Sequence, residues 1–191
     1  IHVAGTSGKT ATSYFCAELL RLSGVRVGLT VSPHIESITE RLQIDGKPMD
    51  ENDFCKYFST FIELFGDDEI DASYFELMIT FVLWVFASEQ VDYAVLETGL
   101  GGKFDCTNVC QRADKICVLT DIGYDHMAVL GNTLPQIAAQ KAGIMHARND
   151  AFCFDQGGEI VDVFRERARD VSATLHVVGD PKLDETLVLP L

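Results

Sequence analysis

Residues 5–10 read Gly-Thr-Ser-Gly-Lys-Thr, directly after the apolar run Ile1-His2-Val3-Ala4. A short strand that ends in a glycine turn, with a lysine and a threonine opening a helix, builds a phosphate cradle. Backbone N–H groups and the helix N-terminus face the anion, Lys9 reaches a terminal phosphate, and Thr10 offers its hydroxyl to Mg²⁺. The spacing constrains the fold further. A loop of the form G-x-x-x-x-G-K-[ST] needs glycine at position 3, where Val3 stands. This is a phosphate loop of a shorter-spaced kind, and it demands a strand–loop–helix unit at the start of the chain.

At 191 residues, 47% of them hydrophobic, the chain is long enough for one well-filled domain and short for two. A net charge of −14 argues against a general nucleic-acid or anionic-membrane binder, so an anionic substrate must meet a local cationic site. The six cysteines form no C-x-x-C pair and read as reduced, mostly buried thiols of a cytoplasmic protein. The most apolar stretch, Phe75 to Ala87, contains Glu76 and is too short to span a bilayer. The chain starts without methionine and stops at Leu187-Val188-Leu189-Pro190-Leu191, which points to a piece of a longer protein.

Residues 8–22 carry a helical pattern, with Tyr14, Phe15, Leu19, Leu20 and Leu22 as its apolar positions and Gly24 placed to stop it. Val25 to Thr30 alternates like a strand and completes a βαβ unit around the phosphate loop. Asp45-Gly46 centres a small hairpin over Arg41 to Met49, and Asp50 caps a helix to about Phe65. Further helices are expected over 73–89, 133–142 and 158–170. Strands are expected over 91–96, 116–120, 151–154 and 174–178. Repeated strand–helix alternation predicts a doubly wound, mostly parallel α/β sheet with helices on both faces. The expected domain covers 1–180, with 181–191 beginning a linker.

Ligands in such folds sit at the carboxyl ends of the strands. Four loops there hold unusual polar content. The phosphate loop is the first. Ser32-Pro33-His34 is the second, an ordinary turn on its own that gains weight only from its place one strand away. The third is Glu97-Thr98-Gly99-Leu100-Gly101-Gly102-Lys103-Phe104-Asp105. A carboxylate ending a buried strand suits Mg²⁺ or its water shell, and the glycines let backbone approach a ligand. Asp125-His126 is the fourth; for His126 a metal ligand and a structural histidine stand equally open. His2, His146 and His176 read as structural or surface residues.

Taken together these stretches resemble the Mur ligase superfamily, in its folylpolyglutamate synthase / dihydrofolate synthase branch. The matching segments are 2–10, 28–34, 40–46, Tyr74-Phe75-Glu76, 95–108, Asp125-His126 with Leu130-Gly131, and 140–144, in family order over roughly 1–145. The resemblance implies a P-loop NTPase-like central domain that binds ATP and two Mg²⁺ ions. Gly5, Thr6, Ser7, Gly8, Lys9 and Thr10 would hold the ATP phosphates. Thr10, Ser32 and Glu97 would hold one magnesium, and His126 would help hold a second. Lys141 matches a lysine that the family carbamylates, and Lys9, Glu97, His126 and Lys141 form the implied catalytic set. Ser32, Pro33, His34, Arg41, Tyr74 and Phe75 would lie near the pterin.

The implied reaction joins L-glutamate to a folate or dihydropteroate through an acyl phosphate, in a monomer that binds neither nucleic acid nor membrane. The chain departs from the branch at Ser7-Gly8-Lys9-Thr10-Ala11, at Lys103 in place of arginine and at Cys106 in place of alanine. The family's C-terminal domain is expected to be missing. Two other readings remain: another Mur-type amino-acid ligase, and a nucleotide-binding module inactive as an isolated domain. A simple P-loop kinase or GTPase is disfavoured by Val3 and by the Ser-Pro-His and Gly-Gly-Lys segments.

Overall fold

The computed structural model describes residues 1–66 and 71–179. The linker expected over 181–191 lies outside the described residues. Eight strands form one sheet: β1 (His2–Ala4), β2 (Val27–Thr30), β3 (Gln43–Ile44), β4 (Lys47–Pro48), β5 (Tyr93–Glu97), β6 (Ile116–Leu119), β7 (Asp150–Phe154) and β8 (Thr174–Val178). Their spatial order is β4-β3-β2-β5-β1-β6-β7-β8. Among the eight strands described, only the hairpin β3–β4 and its contact with β2 are antiparallel and every other strand pairing is parallel. The expected doubly wound sheet is therefore present, with a small antiparallel edge.

Among the described residues six α-helices accompany the sheet: α1 (Lys9–Leu22), α2 (Glu51–Glu63), α3 (Tyr74–Ser88), α4 (Met127–Leu130), α5 (Leu134–Ala142) and α6 (Gly158–Val171). Their starts follow local chemistry. The Asp50 carboxylate accepts from the N–H groups of Asn52 and Asp53, and Thr133 caps α5. Ser73 and Glu76 form a reciprocal capping box on α3.

Strand alternation splits the core between the two sheet faces. Val3, Val27, Leu29 and Val95 pack under α1, while the neighbouring Ala4 and Leu96 turn to the opposite face. There α5 and α6 cover Cys117, Leu119, Ala151 and Cys153. Beside them α2 and α3 build an aromatic cluster in which Phe54, Phe58 and Phe61 surround Phe81. Helices thus lie on both faces.

The apolar positions read for α1 need a correction. Its buried residues are Ser13 and Ala17, whereas Phe15, Leu19 and Leu22 are 71%, 68% and 68% exposed, and Tyr14 is also exposed. The helix must enter from the phosphate loop and lie close on three strands. Small side chains permit that approach; of the large ones Leu20 packs partly against the core and the others are turned outward. All six cysteines are free, with Cys117 and Cys153 buried and Cys55 exposed, so burial is less complete than expected. No described helix is long and apolar enough to cross a membrane.

Candidate functional site: a phosphate loop and a hollow at the strand ends

β1 lies between β5 and β6, so the loops that follow these three strands leave the sheet side by side. The phosphate loop follows β1. Gly8 adopts φ 83°, the left-handed region that glycine tolerates, and caps α1 without a side chain. Gly5 sits against Thr120 so closely that a methyl group there would overlap the threonine hydroxyl. Lys9 folds over its own loop, its Nζ donating to the Thr6 carbonyl at 3.2 Å.

Thr10, the second helical residue, donates its hydroxyl to Glu97 Oε1 at 2.7 Å. Glu97 ends β5 and is 2% exposed; its other oxygen accepts from the Ser32 N–H at 3.1 Å. Burial raises the carboxyl above its usual range, against the Thr10 hydroxyl, the Ser32 N–H and the positive charge of Lys9, which favour the anion. The structure brings Thr10, Glu97 and Ser32 together. Ser32 contributes its backbone N–H, which aims Glu97, and its hydroxyl has no described partner.

One hydroxyl and one carboxylate suit a cation that keeps most of its water and takes the rest of its ligands from phosphate oxygens, which is the habit of Mg²⁺. Among the described residues no three His, Cys, Asp or Glu side chains converge into a protein-only metal cage. His126 caps α4 with φ 45°, and its imidazole lies 3.5 Å from the Asp125 carboxylate.

Lys141 comes from the last turn of α5 and is 2% exposed. Its Nζ donates to the Gly5 carbonyl at 2.7 Å. Burial brings its pKa down to about 8, Lys9 pushes the same way, and Asp125 pulls back. Lys141 therefore touches the phosphate loop directly.

Beside the Ser32–Glu97 contact lies a hollow lined by Ser32, Pro33, Arg41, Phe75, Gly99 and Leu100. It adjoins a second hollow of about 320 Å³ whose walls include Ser73, Phe75, Gly101, Asp105 and Leu130. Ser32-Pro33 is a cis peptide. The sequence gives Ser-Pro-His little weight alone, and the structure supplies its context: His34 Nδ1 accepts from Arg41 Nε at 2.8 Å. Arg41 is buried, and its guanidinium carbon lies 5.7 Å from the centre of the Tyr74 ring. Glu40, the acid next to it, is occupied by the N–H groups of Ile35, Glu36 and Ser37. Phe75 is half-buried against Gly99, and Tyr74 is exposed.

Three residues outside the expected site shape it. Asp105 folds the glycine segment by accepting from Leu100 N–H, Thr107 N–H and the Thr107 hydroxyl. Thr120 donates to the Ser7 carbonyl at 2.7 Å. Buried His2 lies 2.8 Å from Thr107 Oγ1 and 3.1 Å from Thr98 Oγ1, a structural role as expected. Of these, only Asp105 stood in a segment whose glycines drew attention to it.

Compared with known proteins, residues 3–179 match the family described as the Mur ligase middle domain. The chain belongs to the Mur ligase family. It is 40% identical over 182 residues to a folylpolyglutamate synthase of Arabidopsis thaliana, covering 93% of this chain and 32% of that protein. It is 37% identical to the mitochondrial folylpolyglutamate synthase of Homo sapiens, covering 93% of this chain and 31% of that one. Among solved structures it resembles Escherichia coli FolC in complex with DHPP and ADP, with TM-score 0.82, 32% identity, and coverage of 92% of this chain and 41% of FolC. An FPGS–AMPPCP complex matches with TM-score 0.84 at 30% identity, over 92% of this chain and 44% of that one. The chain spans about a third of the length of the curated relatives it matches. This Mur ligase domain shares its fold with those structures.

Proposed function

We propose that this chain is the ATP-binding domain of a folylpolyglutamate synthase / dihydrofolate synthase, which adds L-glutamate to a folate or dihydropteroate. The observation that carries the reading is the hydrogen bond between Thr10 of the phosphate loop and buried Glu97, next to a hollow walled by Arg41, Phe75 and Leu100. A phosphate site and a site for a flat, anionic acceptor thus share one set of strand ends. The names of the relatives and the nucleotide and DHPP in the matching structures support it.

In the proposed reaction an oxygen of the acceptor's carboxylate attacks the γ-phosphorus, the bond from that phosphorus to the β–γ bridging oxygen breaks, and ADP leaves. The amine of glutamate then attacks the acyl phosphate carbonyl and phosphate leaves. Two anions must meet, so positive charge has to offset their repulsion. Lys9 and the phosphate-loop N–H groups supply it from the protein. Thr10 and Glu97 would hold one Mg²⁺, which screens the phosphate charge when bound; Ser32 orients Glu97.

Roles for His126 at a second Mg²⁺ and for Lys141 as a carbamylated residue rest on the resemblance. Burial favours the second, because a lysine brought down to about 8 carries a larger share of neutral amine near neutral pH than an ordinary lysine does. Assembly as a monomer and a cytoplasmic location belong to the same proposal. The coverage of about a third of the relatives favours a second reading for the isolated chain: it binds nucleotide and turns over no substrate.

ADP release is to be assayed in a protein that extends this chain to the length of its relatives, with dihydropteroate or a reduced folate and each amino acid in turn. Glutamate-dependent release is the expected result. Dependence on another amino acid, or on a cell-wall peptide precursor, overturns the folate reading.

A further inference from the structure

The phosphate loop rests in a mould formed by residues 120–123. The N–H groups of Thr6 and Ser7 donate to the Asp121 carbonyl at 2.6 and 3.4 Å, and the Thr120 hydroxyl donates to the Ser7 carbonyl at 2.7 Å. The Thr6 hydroxyl donates to the Gly123 carbonyl and accepts from the Gly123 N–H, both at 3.1 Å. The mould is irregular backbone, without a helix or a ladder of its own beyond β6 to fix its shape. Its remaining polar groups need partners, and their positions depend on what those partners are.

Gln156, just past the end of β7, supplies two of them. Its Oε1 accepts from the Ile122 N–H at 2.7 Å, and its Nε2 donates to the Thr120 carbonyl at 3.1 Å. An N–H can only donate and a carbonyl can only accept, so the orientation of the amide is dictated and both of its ends are used. The bracket spans residues 120 and 122. Between them lies Asp121, whose carbonyl receives the Thr6 and Ser7 N–H groups. Leucine satisfies neither backbone group. Glutamate keeps the acceptor for Ile122 but turns a carboxylate oxygen toward the Thr120 carbonyl.

We propose that Gln156 is a positioning residue for phosphate binding: by fixing the Thr120–Ile122 backbone it sets the direction in which the phosphate loop presents its N–H groups. Gln156 acts through Asp121 and Thr120 and touches no substrate. Lys141, which donates to the Gly5 carbonyl, holds the first residue of the same loop. The inference rests on the nucleotide reading proposed above.

The test compares ATP–Mg²⁺ with adenosine by titration calorimetry or ligand-observed NMR, on the wild-type chain, Gln156→Leu and Gln156→Glu, with thermal midpoints measured alongside. Loss of two hydrogen bonds that aim the loop is expected to weaken ATP binding by about tenfold in Gln156→Leu while adenosine binding stays within twofold. A role confined to general stability lowers the thermal midpoint and spares the ATP-to-adenosine ratio, and that result overturns the proposal. Gln156→Glu, which retains one hydrogen bond, carries the same comparison should the leucine variant fail to fold. Its ATP affinity is expected to recover toward wild type as pH falls to about 4, below the ordinary glutamate range, where a protonated carboxyl restores the donor; an affinity ratio to wild type that is flat with pH counts against the proposal. ATP binding by the wild type that neither variant alters overturns this inference alone. A folded wild-type chain that does not bind ATP overturns the nucleotide reading and this inference together.

Discussion

Glu97 and Lys141 are buried ionisable groups held by neutral partners in direct contact, one by a threonine hydroxyl and a backbone N–H, the other by a carbonyl. Each shifts toward its uncharged form because burial disfavours charge, and each lies where a phosphate or a cation would restore the balance. Lys9 is the side chain expected to meet a terminal phosphate. Lys9→Ala is expected to weaken ATP binding roughly ten- to a hundredfold, as loss of a charged hydrogen bond implies; unchanged affinity by calorimetry removes the phosphate-loop argument. His2 offers a pH signature. Burial, reinforced by Lys115 and His146, brings its imidazole down from 6.5 to about 3. The folded state keeps this histidine neutral, so between pH 6.5 and 3 the unfolded chain binds more protons. Stability is therefore expected to fall as pH drops through that window, and urea midpoints of His2→Gln should fall less steeply than those of wild type.

Helix ends and strand runs were largely legible from local residue types. Asp50, Ser73 and Thr133 each start a helix where a side-chain oxygen can accept from exposed N–H groups. Ser73→Ala opens the capping box of α3 and is expected to cost about 1 kcal/mol, read as a lower urea midpoint with an unchanged m-value. Periodicity misled at α1. Its large apolar residues repeat as in a buried helix, yet Phe15, Leu19 and Leu22 face outward because the phosphate loop fixes where the helix starts and how it is rotated. The Gln156 bracket was also invisible, since it joins residues 120, 122 and 156 through backbone groups that every residue type carries.

Across the whole molecule, the chemistry depends on β5 entering between β2 and β1. That insertion sets Glu97 beside Thr10 although 87 residues separate them. The described chain supplies the phosphate loop, the Thr10–Glu97 pair and the hollow, while its relatives are about three times as long. The chain alone is expected to bind ATP–Mg²⁺ weakly and to form no folate product; glutamate-dependent product detected by chromatography with this chain alone overturns that expectation.

Local residue order determined the strand–loop–helix alternation, the glycine cradle, the helix caps and the family motifs, because each depends on neighbours within a few positions. The tertiary structure alone decided the strand order, the outward face of α1, the Arg41–His34 contact beneath Tyr74 and the mould around the phosphate loop. Those features come from pairings such as His2 with Leu96 and Thr120 with Ser7, which hold only when distant segments pack together and exclude water from the groups they share.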